Sequence, residues 1–211
     1  GDEAAAGVVA DMIAGLDSID ADSRNVIQAV RAAYDALTGE QKKLVKNVNV
    51  LTAAEKAIEG LENKAAADEV SALIGALKNV TLRDASKVET ARAAYEGLTS
   101  AQKALVTNVN VLTAAESTLK KLEQQAADKD KADEVMVLIS RIGSVNSESE
   151  DAIEAARRAY EKLTDAQKAL VSNVDILTAA EKAFADLGAD KKAADSVTAL
   201  INKIGTVGRE S

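Results

Sequence analysis

Among its 211 residues the chain has no histidine and no cysteine. The commonest general base and metal ligand is therefore missing, and zinc-finger sites and thiol nucleophiles are excluded. Any catalysis would fall to carboxylates or to a Ser–Lys pair. Paired carboxylates that cleave sugars need a cleft of defined width. The remaining candidates recur at regular spacing: Tyr34, Tyr95 and Tyr160; Lys42, Lys103 and Lys168; Arg31, Arg92 and Arg157; and Thr52 with Glu55, Thr113 with Glu116, Thr178 with Glu181. The tyrosines could form a row of aromatic contacts for glycans. Their helical positions instead assign them to an apolar seam, with the hydroxyl at its rim. The lysines could form a binding stripe, but lone lysines among acids read as solvated surface. The arginines sit beside core positions and are expected to pair with acids on a neighbouring helix. The acidic runs DSIDAD (from Asp17) and SESED (from Ser147) lack the glycine and distal glutamate of a calcium-binding EF-hand loop. They read as helix-capping loops. No catalytic residue, cofactor or metal site is expected.

The elements that must position these residues are written three times. LTGEQKKLVKNVNVLTAAE, LTSAQKALVTNVNVLTAAE and LTDAQKALVSNVDILTAAE begin at Leu37, Leu98 and Leu163. The preceding VRAAYDAL, ARAAYEGL and ARRAYEKL also align. Such self-similarity marks a repeat architecture. A fourth copy opens at Val197, where VTALINKIGTV matches VSALIGALKNV from Val70. The reading is therefore of three full repeats and the first helix of another, cut from a longer array.

Each repeat carries three helical patterns. The first has the i, i+3, i+4, i+7 stripe: Val9, Met12, Ile13, Leu16; Val70, Leu73, Ile74, Leu77; Val135, Leu138, Ile139, Ile142. The second, in the middle repeat, carries Val88, Ala91, Tyr95 and Leu98, and Ser86 with Glu89 has capping-box spacing. A short helical turn follows, opened by Thr38 with Gln41, Thr99 with Gln102, and Thr164 with Gln167. Asn47, Asn108 and Asn173 close it, since asparagine tolerates the left-handed conformation. The third helix is expected to open on the Thr–Glu capping boxes at Thr52, Thr113 and Thr178. Its stripe in the middle repeat is Leu112, Ala115, Leu119, Leu122. Between it and the next repeat lies no Pro, Gly or Asn in KKLEQQAADKDKADEVMVLI, so the two helices read as one.

The expected fold is all-α: tandem three-helix bundles joined by continuous helices into an extended, spectrin-like rod. The repeats are placed at 1–66, 67–130 and 131–193, with 194–211 as the first helix of a truncated fourth. The second junction is longer by about one helical turn, which would extend the rod by roughly 6 Å and rotate the next repeat by about 40°. Gly188, in the third junction, is the expected bend, being about 1 kcal/mol worse than Ala in a helix.

Composition agrees with helices. Proline is absent, aromatics are 2%, and the hydrophobic share is 47% with 28% charged residues, so Ala, Leu, Val and Ile must build the core. A net charge of −8 with interspersed bases argues against nucleic acid and against an anionic membrane surface. No stretch is apolar enough to cross a membrane. Neighbouring repeats of the same chain are the expected partners, and a protein or glycan ligand is left open.

ARAAYEGLTSAQKALVTNVNVLTAAE resembles helical repeats of large Gram-positive cell-surface and secreted proteins, which lie between anchoring modules and enzymatic, adhesive or surface-layer modules. The resemblance spans almost the whole chain through its AY..LT..QK.LV.N...L..AE signature. It implies an extracellular, cell-wall-associated location and a spacer role, with no catalytic residues. A mechanical spacer or stalk is the expected function. The alternative is an adhesion module recognising a host protein or a cell-wall polysaccharide through one helical face.

Overall fold

In a computed structural model describing residues 1–207, the chain is all-helical, with no strand among the described residues. The helices are α1 (Asp2–Ala14), α2 (Arg24–Asp35), α3 (Gly39–Leu44), α4 (Val48–Gly75), α5 (Ala85–Gly97), α6 (Ser100–Lys103), α7 (Val109–Ile142), α8 (Glu150–Glu161), α9 (Asp165–Lys168) and α10 (Val174–Val207). The chain divides into two compact units, the first covering residues 1–119 and the second beginning at Lys120. Of the expected fourth helix, residues 208–211 lie outside the described residues.

The first unit holds two hydrophobic clusters. Ala6, Val9, Ile13 and Leu16 of the α1 segment meet Ile27 and Val30 of α2, Val45 after α3, and Leu51, Ala54 and Ile58 of α4. Ala67, Val70 and Ile74 of α4, with Leu77 and Val80, meet Val88 and Ala91 of α5, Val106, and Leu112, Ala115 and Leu119 of α7. The second unit holds a third cluster of the same make-up: Ala132, Val135, Ile139 and Ile142, with Ile153 and Ala156 of α8, Leu163, Val171, and Leu177 and Ala180 of α10. The seams are thus filled by small and branched aliphatic residues. Ile13, Leu51, Ile74, Leu112, Ile139 and Leu177 are the largest residues fully removed from water.

The apolar stripes mark these seams with two exceptions: Met12 and Leu73 stand 38% and 42% exposed. They lie at the i+3 flank, outside the narrow line that touches both neighbouring helices. The joined helices are continuous. α4, α7 and α10 run 28, 34 and 34 residues, so α4 alone is about 42 Å long at 1.5 Å per residue. α10 runs unbroken through Gly188.

Three local expectations are corrected. The long helices start at Val48, Val109 and Val174, not at the threonines. Thr52, Thr113 and Thr178 lie one turn inside, where each Oγ1 donates to the carbonyl four residues back (3.3 Å). A Thr-x-x-Glu pattern serves a helix interior as well as a cap, because threonine can satisfy its hydroxyl against the preceding turn. α5 likewise starts at Ala85, with Asp84 as its N-cap, so Ser86 caps nothing. The capping box there pairs Thr81 with Asp84 around a 3-10 turn over Leu82–Asp84. Finally, Asn47 is the N-cap of α4 at φ −108°. Asn79 is the non-glycine residue with positive φ among the described residues, at 54°. The expected boxes at Thr38, Thr99 and Thr164 are present, each threonine hydroxyl accepting from the glutamine N–H. Gly143, at φ +60°, follows α7 in the left-handed conformation that ends helices.

Candidate functional site

The recurring polar residues converge at one place in each repeat. In the first, α2 presents Arg31 and Tyr34 one turn apart, α4 presents Glu55, and α3 presents Lys42. Arg31 clamps Glu55 through both guanidinium edges, Nε to Oε1 at 2.5 Å and Nη2 to Oε2 at 2.7 Å. Its guanidinium carbon lies 5.4 Å from the centre of the Tyr34 ring, and the Lys42 ammonium lies 5.6 Å from it. Arg92, Glu116, Tyr95 and Lys103 repeat the arrangement, with a clamp at 2.6 and 2.8 Å and cations at 5.6 and 5.5 Å. Arg157, Glu181, Tyr160 and Lys168 do so again, at 2.5 and 2.6 Å and at 5.6 and 5.7 Å.

The clamp is half-buried: the Arg side chains are 29–32% exposed and the Glu side chains 32–34%. Hydrogen bonding to the arginine holds Glu55, Glu116 and Glu181 below the ordinary glutamate range, against the opposing push of burial. The partner guanidiniums are raised by the same hydrogen bonds. Bidentate pairing of this kind fixes geometry as well as charge. A carboxylate with both oxygens on one guanidinium and a lowered affinity for protons is a poor general base. The lysines are also engaged: Lys42 Nζ donates to the Asp35 carbonyl at 2.9 Å and Lys103 Nζ to that of Glu96 at 3.1 Å.

Sequence reasoning placed the tyrosines at the seam and the arginines opposite acids. Tyr34, Tyr95 and Tyr160 are half-buried against the three clusters. It missed that the acids are the glutamates taken for caps, and that the solvated-looking lysines lie over the tyrosine rings. The constant spacing of 24 residues from Arg to Glu was the available signal.

A second polar feature recurs. Asn47, Asn108 and Asn173 each donate Nδ2 across to the first helix of their repeat, to the carbonyls of Ala10, Ser71 and Met136 at 2.9, 2.9 and 3.0 Å. The Oδ1 of each is buried without a partner. These bonds tie the start of α4, α7 and α10 to one axial level of the preceding helix.

Two grooves lie beside the clamps. One, of about 400 Å³ between α8 and α10, is lined by Ile153, Phe184, Arg157, Arg158 and three glutamates. Its counterpart between α2 and α4, about 210 Å³, is spanned by an ion pair of Arg24 with Glu62. Among the described residues no group of three acids is placed to hold a metal ion. In the DSIDAD run, Asp20 is occupied by Ser23 Oγ at 2.7 Å and the Asp22 N–H at 3.0 Å. No described helix is long and apolar enough to cross a membrane. No family model, curated protein or solved structure matches this chain.

Proposed function

We propose that the chain is a non-catalytic structural spacer: tandem three-helix bundles in line, holding functional modules away from a bacterial cell wall. The bundles are the repeats at 1–66, 67–130 and 131–193, with 194–211 opening another. The observation that carries this reading is α4. One uninterrupted helix delivers Leu51, Ala54 and Ile58 to one cluster and Ala67, Val70 and Ile74 to the next. A helix committed at both ends leaves no flexible linker between those repeats. α7, helical from Val109 to Ile142, supports the same logic for the next junction. The clamps support a structural role as well, since they engage the charged residues that could otherwise do chemistry. The cell-surface location rests on the resemblance of the repeat to those of Gram-positive surface proteins.

The adhesion alternative draws on Leu44, Leu105 and Leu170, equivalent residues that are 44%, 48% and 46% exposed. Single exposed leucines are ordinary surface, and the spacer reading is preferred.

The test is a distance distribution. The chain has no native cysteine, so spin labels at Ala101→Cys and Ala166→Cys, equivalent exposed sites of the second and third repeats, are unique. A narrow distribution is expected, becoming broad and shorter when Gln125→Pro and Lys129→Pro interrupt α7. A parent distribution as broad as that of the proline variant overturns the rigid spacer.

A further inference from the structure

The distal part of α10 repeats the first-helix stripe, but the apolar residues described there are exposed. Val197, Leu200, Ile201 and Ile204 stand 55%, 60%, 61% and 72% exposed. Their equivalents Val70, Ile74 and Leu77 are 4%, 0% and 7% exposed, and only Leu73 shows comparable exposure at 42%. What buries those equivalents is known for all three complete repeats. It is a helix with the Val88/Ala91 pattern, a turn carrying Val106, and a helix start carrying Leu112 and Ala115. Val135 and Ile139 are covered by the matching residues Ile153, Ala156, Val171 and Leu177, and Val9 and Ile13 by Ile27, Val30, Val45 and Leu51.

We infer that the Val197–Ile204 face of α10 is a docking surface for a helix–turn–helix segment of this repeat's own type. The occupant is specified by chemistry on both counts that fix the existing interfaces. Its apolar line must be aliphatic and slim, since the facing residues of α10 are spaced as in α4. Its asparagine must reach the Thr198 carbonyl, which stands where the Ser71 carbonyl receives Asn108. Burial supplies affinity without direction, and the asparagine sets the axial register. The inference rests on reading each repeat as a closed bundle. It goes further in naming what a free first helix recruits.

The probe is a fluorescent peptide of residues 80–119, titrated into the full chain and followed by anisotropy. Saturable 1:1 binding is expected, lost in Ile201→Asp, which leaves the three clusters untouched. The peptide bearing Asn108→Ala is expected to bind about threefold to tenfold more weakly, the worth of one such hydrogen bond. Binding that survives Ile201→Asp overturns the inference, since the peptide would then be invading an existing repeat. Self-association of the chain that Ile201→Asp abolishes, with no peptide bound, overturns it in favour of a second copy. To remove weak affinity as an escape, residues 78–119 are also fused directly after Ile204, making docking intramolecular. The amides of 197–204 must then exchange more slowly than in the parent and in the Ile201→Asp fusion, and unchanged exchange overturns the inference. A narrow spin-label distribution between the second and third repeats can coexist with that failure, so the two readings fail separately.

Discussion

At the scale of single residues, each repeat spends its one tyrosine, its clamped arginine and one lysine on the same half-buried place. The clamp makes a signed prediction about pH. Glu116 titrates lower in the folded chain than unfolded, so its stabilisation is fully present above the unfolded glutamate range near pH 4.3. It is lost as pH falls through the lower folded value. Acid titration of chemical or thermal stability should therefore show a decline below about pH 4, reduced in Glu116→Gln. At neutral pH that variant should lose about 1 kcal/mol, the modest value fitting a partly exposed pair. A stability profile identical to the parent between pH 2 and 5 would remove the clamp from the account. Tyr95 offers a second check. Tyr95→Ala removes a ring packed on the second cluster and should cost about 2 kcal/mol, below the range for fully buried aromatics. Tyr95→Phe should lie within about 0.5 kcal/mol of the parent, because the ring faces and not the hydroxyl carry the contacts. A large loss in the phenylalanine variant would point to a role for the hydroxyl.

At the scale of elements, what was legible in the sequence depended on how many structures a pattern can serve. The aliphatic stripes admit one reading, and Ile13, Ile74 and Ile139 are buried where the period places them. The threonines of the Thr–Gln boxes are themselves extended at the start of short turns, and they cap as expected. The Thr–Glu pairs do not, because the preceding Asn-Val already starts the helix and leaves threonine inside it. Glu55 is then free to meet Arg31, a contact set by helix pairing that no local pattern encodes. The asparagines were misread for the same reason: their role is to bond across to Ala10, Ser71 and Met136, a tertiary partner invisible in the local string. The continuity of α4 was legible from propensity alone, since no breaker intervenes. Its energetic consequence is testable. Ile74→Ala, at a fully buried site, should cost about 2–5 kcal/mol. Because α4 serves two clusters, amide exchange should accelerate around Leu51–Ile58 as well as around the substituted site. Acceleration confined to residues 67–119 would show the two clusters to be energetically independent.

At the scale of the whole molecule, the spacer proposal makes the chain a repeat protein, whose stability would sum intrinsic and nearest-neighbour contributions. The exposed aliphatic residues of α10, Val197, Leu200, Ile201 and Ile204, are where that proposal and the inferred docking surface meet. The helices shared between clusters bear on how such a chain meets load. Under the spacer proposal a pull along the chain would pass through α4 itself, and a repeat would not shed its third helix without stripping the first helix from its neighbour. Under a steadily rising force the sawtooth should therefore favour double steps. Each fully extended repeat of about 61 residues contributes roughly 20 nm of contour, so paired releases near 40 nm would mark the shared helix as the unit of mechanical failure, and uniform single steps would show that the break stops at each border.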